Sequence, residues 1–304
     1  MKNLLENNKL ILMEAAIIEQ LRRSGKVKLH PALVNTPLIY EKTGKAELTK
    51  IYQGYLDIAL QAEIPFIMCT PTWRANQARV ADSDIAPSIN TDAASFLQEL
   101  RDEQQADKEM IKIGGMIGCK NDSYKPEEGL SAAESEQFHS WQIDQLAQAG
   151  VDFLIAATLP SVEEAKGIAR AMAATAIPYI ISFVISRDGH VLDSTDLMTA
   201  VKMIDAETDQ KPLGFMINCA YPTFLCAAGQ PTKLFDRLIG YQANASSLDH
   251  CDLDGADQLE TEIVTDWGKE MLSLNRSYGI KILGGCCGTG VEHLRYITDN
   301  RAAL

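Results

Sequence analysis

The chain has 304 residues, 46% of them hydrophobic and 23% charged, and carries a formal charge of −13. This balance is that of a globular protein, and the acidic charge argues against nucleic acid or an anionic membrane as a partner, because both need clustered Lys and Arg. Apolar runs such as "IPYIISFVI" are about half as long as a membrane helix requires. Charged residues interrupt the apolar N-terminal stretch, which argues against a signal peptide. The sequence therefore predicts a cytoplasmic protein.

Eight short apolar runs alternate with segments of helical spacing. The predicted strands are residues 9–14, 65–70, 111–118, 152–158, 178–185, 213–220, 238–245 and 280–287. Most of these runs are apolar throughout rather than alternating, which is typical of parallel strands covered on both faces. We predict a (β/α)8 TIM barrel that forms a single domain over residues 1–304. A doubly wound open sheet is the alternative, but no Gly-rich phosphate loop follows the first run.

The helical segments carry their own end signals. The segment "SVEEAKGIARAMAATAIP" is predicted to begin with a capping box formed by Ser161 and Glu164 and to end before Pro178. Residues 82–108 contain the charged stretch "ELRDEQQADKE" and are predicted to form a peripheral loop and an exposed helix.

The chain contains seven cysteines, and an odd number without a secretory signal argues against a disulfide framework. In a barrel of this type, active sites lie at the carboxyl ends of the strands. Cys219 ends the sixth predicted strand and the pair Cys286 and Cys287 ends the eighth, so all three are expected on one rim. Cys69 is a weaker candidate on that rim, and we interpret it as structural together with Cys119, Cys226 and Cys251.

Adjacent residues of a regular strand point to opposite faces, but Gly284, Gly285 and Gly288 allow the backbone to turn both neighbouring thiols inward. A vicinal disulfide is disfavoured because the two Cα atoms are about 3.8 Å apart, below the usual disulfide range. Three thiolates without a fourth protein ligand are typical of an open catalytic zinc site. Zinc deprotonates a bound thiol, and the thiolate is the nucleophile, so the pattern predicts activation of a thiol substrate for attack on an alkyl group.

At this point the motifs resemble those of the zinc-dependent homocysteine S-methyltransferases. "GFMINCAYP" is similar to the family segment with the first cysteine ligand, and "ILGGCCGTG" is similar to the segment with the other two. The resemblance extends over nearly the whole chain. It implies a (β/α)8 barrel, zinc on Cys219, Cys286 and Cys287, and methyl transfer to a thiol. Thr72 matches a family position near the substrate, and Glu14 at the end of the first strand and Asn218 before the first cysteine are the other predicted substrate-binding residues. No catalytic residue is predicted beyond the zinc site, because zinc would ionise the thiol.

Two positions depart from the family pattern. The first strand of the family ordinarily ends in an aspartate followed by glycines, whereas this chain has Glu14, Ala15 and Ala16. The fourth strand ordinarily ends in a glutamate that holds the substrate ammonium, whereas this chain has Ala157. One carboxylate contact to the ammonium is therefore expected to be missing, at a loss of about ten- to a hundredfold in affinity.

We therefore predict zinc-dependent transfer of a methyl group from a small donor such as S-methylmethionine to homocysteine or a close analogue, giving methionine. The expected partners are this small thiol acceptor and the methyl donor, and assembly into a homo-oligomer is left open. One alternative is a diverged family member that binds zinc but uses a different acceptor or has lost the activity. Another is an unrelated barrel enzyme in which the thiols are incidental.

Overall fold

Eight parallel strands close into a barrel in chain order, with β8 hydrogen-bonded to β1, in a computed structural model that describes residues 1–104, 108–249 and 261–301. The strands are β1 Ile11–Met13, β2 Phe66–Cys69, β3 Ile111–Ile117, β4 Phe153–Leu159, β5 Tyr179–Phe183, β6 Gly214–Ala220, β7 Leu238–Ala243 and β8 Ile282–Gly285. Every strand overlaps a predicted one. The predicted (β/α)8 barrel is confirmed, and closure of the sheet excludes the doubly wound alternative.

One helix precedes the first strand, one follows the last, and the others lie in the connections between strands. They are α1 Lys2–Asn7, α2 Ile18–Ser24, α3 Lys42–Gln61, α4 Gln77–Ala81, α5 Ile89–Asp102, α6 Ala132–Gln148, α7 Val162–Ala173, α8 Leu197–Glu207, α9 Val264–Tyr278 and α10 Val291–Asp299. Short 3-10 turns add to the connections, among them Pro222–Leu225 and Thr232–Asp236 on the way from β6 to β7. Within the described ranges, none of the helices combines the length and the apolar character needed to cross a membrane.

Two apolar layers explain why the strands are hydrophobic on both faces. In β1, Ile11 and Met13 belong to the cluster inside the barrel, whereas Leu12 packs into the layer between the strands and the helices. Leu4 of α1 joins the inner cluster, and the Lys281 ammonium at the start of β8 donates to the Leu5 carbonyl. The first helix therefore covers the end of the barrel at which the strands begin, and the opposite rim is left for the site.

The prediction of an exposed helix within residues 82–108 is wrong for α5. This helix fills the position between β2 and β3, and Phe96, Leu97 and Leu100 on its inner face are buried. The charged residues of the same segment lie on its outer face or beyond its end, and they obscured an apolar stripe of helical period. Residues 105–107 lie outside the described part of the chain.

The predicted capping box at Ser161 is also wrong. Ser161 precedes the first turn of α7, but its side chain makes no capping hydrogen bond. The Glu164 carboxylate is buried and turned away, where it accepts the Lys120 N–H at 2.8 Å and contacts His139 Nε2 at 3.0 Å. Glu164 therefore makes tertiary contacts instead of the capping hydrogen bond that the local motif predicted.

Candidate functional site

Three cysteine sulfurs meet at the rim where the strands end. Cys219 lies near the end of β6, and Cys286 and Cys287 follow β8 directly. Their Sγ atoms all lie within 4.8 Å of one another, and the thiols are free. The structure therefore brings together the three side chains that the sequence selected, with neither a vicinal disulfide nor a scattered arrangement.

A bulge in β6 aims the first of these thiols. The register between β6 and β7 shifts between Asn218 and Ala220, and Cys219 has a φ of +55°. A left-handed conformation at a non-glycine residue costs on the order of 1 kcal/mol or more, and bulges of this kind redirect a side chain. The sequence contained no signal for this strained conformation, because cysteine does not favour it.

The second and third thiols lie in a turn rather than in the strand. β8 ends at Gly285, two residues earlier than predicted, and the Thr289 N–H donates to the Cys286 carbonyl at 3.1 Å. A Cβ at Gly285 would approach the Thr289 hydroxyl to 2.1 Å, so only glycine fits there. Gly288 closes the turn with a φ of +80°. The glycines therefore let two adjacent thiols share one side, as the sequence predicted.

Asn218 connects three strands behind the sulfur cluster. Its Oδ1 accepts the Thr158 N–H at 2.8 Å and the Ser182 hydroxyl at 2.7 Å. Its Nδ2 donates to Thr158 Oγ1 at 2.7 Å and to Cys219 Sγ at 3.2 Å. The hydrogen-bonding positions of the amide are thus used within the protein, which suits Asn218 to orienting Cys219.

The charge of the cluster is concentrated on one sulfur. Hydrogen bonds from Cys286 and Cys287 hold the pKa of Cys219 well below its ordinary value. The same contact with Cys219 raises the pKa of Cys286 well above its ordinary value and that of Cys287 to about 12. Burial, followed by the charges of these sulfurs, raises the pKa of the nearby Tyr124 phenol. Without a cation the cluster is best described as one thiolate held by two thiols.

The sulfur positions fit a common metal ion. Three ligands of a tetrahedral zinc, each about 2.3 Å from the metal, lie about 3.8 Å from one another. The observed spread of up to 4.8 Å needs only a small inward movement of the sulfurs. Soft sulfur donors in this number favour zinc over calcium or magnesium, which take oxygen ligands.

A cavity of about 960 Å³ opens beside the sulfurs, and Glu14 lines it next to β1. Glu14 is buried, and its Oε2 accepts the Cys69 N–H at 2.6 Å. Burial raises the pKa of this carboxyl to about 8, although the hydrogen bond from Cys69 opposes the shift. No cation among the described residues contacts it, so the carboxyl is largely protonated at neutral pH.

Ala157, where the family pattern is lost, and Thr72, a predicted substrate-binding residue, lie in different places relative to the cavity. Ala157 lines the cavity, so the wall carries a methyl group where the family pattern has a carboxylate. Thr72 is fully buried; its hydroxyl donates to the Met116 carbonyl at 2.6 Å and shares a 2.7 Å hydrogen bond with Thr70. Thr70 lines the cavity, whereas Thr72 lies behind its wall. A substrate contact of Thr72 stays a prediction.

Several cavity residues were not selected from the sequence. They lie on segments before α3, after β2 and after β3, and they are Asn35, Trp73, Arg74, Arg79 and Tyr124. The polar stretch "TPTWRANQAR" directly after the second strand was the available signal, because side chains at that position reach the active rim of a barrel.

The remaining cysteines have different surroundings. Cys69 and Cys119 are buried, as a structural role predicts, and burial raises the pKa of each thiol. Cys226 is exposed, with its thiol donating to the Arg187 carbonyl at 3.3 Å, and its structural role stays a prediction. Cys251 lies outside the described residues.

Sequence comparisons agree with the motifs. The homocysteine S-methyltransferase family model matches residues 11–301. Betaine–homocysteine S-methyltransferase 1 of Bos taurus is 24% identical over 73% of this chain, and the match spans about half, 56%, of that protein's length. Homocysteine S-methyltransferase YbgG of Bacillus subtilis is 23% identical over 97% of this chain and 96% of its own.

The fold agrees as well. The metallated form of the homocysteine methyltransferase MmuM from Escherichia coli superposes with a TM-score of 0.76 at 17% identity, covering 98% of both chains. Its apo form superposes with a TM-score of 0.68. At this identity the likeness concerns the barrel alone, whereas the family model covers nearly all of the sequence. The chain belongs to the homocysteine S-methyltransferase family.

Proposed function

We propose that this protein transfers a methyl group from a small donor such as S-methylmethionine to the thiol of homocysteine or a close analogue, with zinc held by Cys219, Cys286 and Cys287. The observation that carries the proposal is the cluster of three sulfurs within 4.8 Å beside a large cavity, in a chain of this family. Zinc bound there would keep an acceptor thiol deprotonated at neutral pH.

The residues of the chain orient the three sulfurs and provide a cavity for the two substrates. Asn218 and the bulge of β6 orient the Cys219 sulfur, and the glycine turn after β8 presents the other two. The donor must place its methyl carbon opposite the acceptor sulfur, and the cavity is large enough for both molecules. The new bond joins sulfur to the methyl carbon, and the electron pair of the broken bond stays on the donor sulfur. No further general base is required once the thiol is ionised.

The test combines metal content with transfer of an isotopically labelled methyl group. We expect about one zinc per chain, and methionine formed from homocysteine and S-methylmethionine. Alanine variants of Cys219, Cys286 and Cys287 should each lose most of the zinc. Cys226→Ala, which removes an exposed thiol elsewhere, is the matched control and should keep it. Full zinc content in all three site variants would refute the assignment.

A second candidate is a diverged member that binds zinc but methylates a different thiol. Ala157 at the cavity wall and the largely protonated Glu14 support it, because both weaken the attraction of the cavity for the ammonium of homocysteine. Bound zinc without transfer to homocysteine, followed by transfer to another thiol, would favour this candidate.

Three other expectations from the sequence also stay predictions. They are a cytoplasmic location, a single domain over residues 1–304 and assembly into a homo-oligomer.

A further inference from the structure

An arginine beside the cavity has no acidic partner. Arg74 lines the cavity after β2, and its Nη1 donates to the carbonyls of Cys119 at 3.1 Å and Asn121 at 2.5 Å. Its guanidinium carbon lies 4.1 Å from the centre of the Trp73 ring. Among the described residues no carboxylate pairs with it, so its position is held while its charge is left uncompensated.

A second arginine shares these properties. Arg79 lines the same cavity, half-buried on α4, and its Nη1 donates to the Ala32 carbonyl at 3.1 Å. Burial, and next the positive charge of Arg74, lower the pKa of Arg79, so the two guanidinium groups are close enough to repel each other. Within the described ranges Arg79 has no carboxylate partner either. Two like charges in the wall of one cavity favour the binding of an anion there.

Two neutral side chains in the lining of the same cavity also have no hydrogen-bond partner among the described residues. Asn35 is only 3% exposed and lines the cavity, yet its side-chain amide has no hydrogen-bond partner among the described residues. The indole N–H of Trp73, another cavity residue, is buried and also lacks a partner. The Asn35 amide is therefore available to a ligand in the cavity, whereas the Trp73 indole N–H packs against Gly118, where an added Cβ would lie 2.5 Å from Nε1.

The acids around the cavity do not neutralise the arginines. Glu19 pairs with Arg23 at 3.0 Å, and Glu128 pairs with Lys125 at 3.3 Å. Asp122 is exposed and accepts a backbone N–H within its own turn at 2.9 Å. The donors of the proposed subsite are therefore free to meet an anion from outside the chain.

We propose that Arg74, Arg79 and Asn35 form a subsite for the carboxylate of the substrate whose sulfur reaches the cysteine cluster. This inference rests on the proposed function only for the binding of the substrate thiol at the cysteine cluster. Guanidinium groups match a carboxylate in both charge and geometry. With Ala157 in place of an acid, the carboxylate rather than the ammonium is the principal charged anchor, and a mercapto acid without an amino group is as good a ligand as homocysteine.

The test uses two thiols of equal chain length on the zinc-loaded protein. 4-Mercaptobutyrate keeps the carboxylate and lacks the amine, and 3-aminopropanethiol keeps the amine and lacks the carboxylate. By calorimetry we expect the first to bind at least tenfold more tightly. Arg74→Met and Arg79→Met should each weaken it about tenfold, and the double variant should remove the preference. Arg276→Met, which removes a distant guanidinium bonded to a backbone carbonyl, should leave the preference unchanged.

Further arms identify the source of the carboxylate. The donor pair is S-methylmethionine and its decarboxylated sulfonium analogue. An effect of the arginine variants on this pair alone would assign the carboxylate to the donor and would overturn the subsite for the acceptor. Wild-type affinities of the arginine variants for all four compounds would overturn it. Thermal unfolding of each variant confirms that the fold is kept.

Failure of the zinc chemistry is distinguished by a metal-free titration with 4-(methylthio)butyrate, which carries the carboxylate without a free thiol. Weaker binding by the double arginine variant would support the subsite even if the wild type bound no zinc. Zinc binding and methyl transfer with no effect of the arginines would overturn the subsite alone.

Discussion

The buried carboxyl of Glu14 makes stability depend on pH in an unusual direction. In the folded protein its pKa is about 8, against an ordinary value of 4.5, because burial disfavours the charged form. Between these values the folded state keeps the proton and the unfolded state releases it, so stability falls as the pH rises. Each pH unit in this window is worth about 1.4 kcal/mol. Glu14→Gln removes the titration and keeps an oxygen that can accept the Cys69 N–H.

From pH 6 to pH 8, the free energy of unfolding of Glu14→Gln should therefore rise by about 2 kcal/mol relative to the wild type. In a chain of this size that is a relative shift of the melting temperature of about 3 °C. Tyr52, Tyr55 and Cys69 feel the charge of Glu14, but their pKa values are all raised, so they stay neutral throughout the window.

The assay is urea unfolding of both proteins at pH 6, 7 and 8, because titrations common to both cancel in the difference. Glu6→Gln, which neutralises an exposed carboxylate on α1, is the matched control. A free energy of unfolding of Glu14→Gln that, measured relative to the wild type, stays constant or falls as the pH rises would refute the assignment of a protonated buried carboxyl.

Three further predictions concern zinc affinity and the stability of the fold. Asn218→Ala should lower zinc affinity about ten- to a hundredfold in a chelator competition and destabilise the fold by about 2–4 kcal/mol, because it leaves three strands without their shared amide. His139→Leu should destabilise the protein by about 3 kcal/mol in urea, and adding Glu164→Leu should cost less than the sum of the single changes, because the two buried side chains are partners. Gly268→Ala should lower the melting temperature, since its Cβ would lie 2.0 Å from a tyrosine ring of α10. Gly54→Ala, whose Cβ meets its nearest neighbour at 3.8 Å, should not lower it.

The barrel and its sulfur cluster could be predicted from sequence for a common reason. Parallel strands buried on both faces are apolar throughout, so their order along the chain is visible as eight runs. Their carboxyl ends share one rim, so Cys219 and the pair Cys286 and Cys287 had to meet once the order was known. The glycines around the pair carried the remaining information, because they tolerate the turn that presents both thiols.

Predictions based on a single local pattern were less reliable. The capping box at Ser161 and the exposed position of α5 were both wrong, because a buried contact of Glu164 and a hidden apolar stripe outweighed the local signal. The left-handed conformation of Cys219 was not visible either, since the side chain that holds the Cys219 carbonyl, the amide of Asn244 at 3.0 Å, comes from the segment after β7.

The sequence by itself determined the fold, the family and the three cysteines of the sulfur cluster, because each depends on residue type at regular spacing. Only the tertiary structure decided the charge state of Glu14 and the meeting of Asn35, Arg74 and Arg79 beside the cavity. Burial and unpaired charge are properties of the surroundings of a side chain, and those surroundings come from segments far apart in the chain. The cysteines of the cluster are thus visible in local motifs, whereas the environment of the cavity side chains depends on packing.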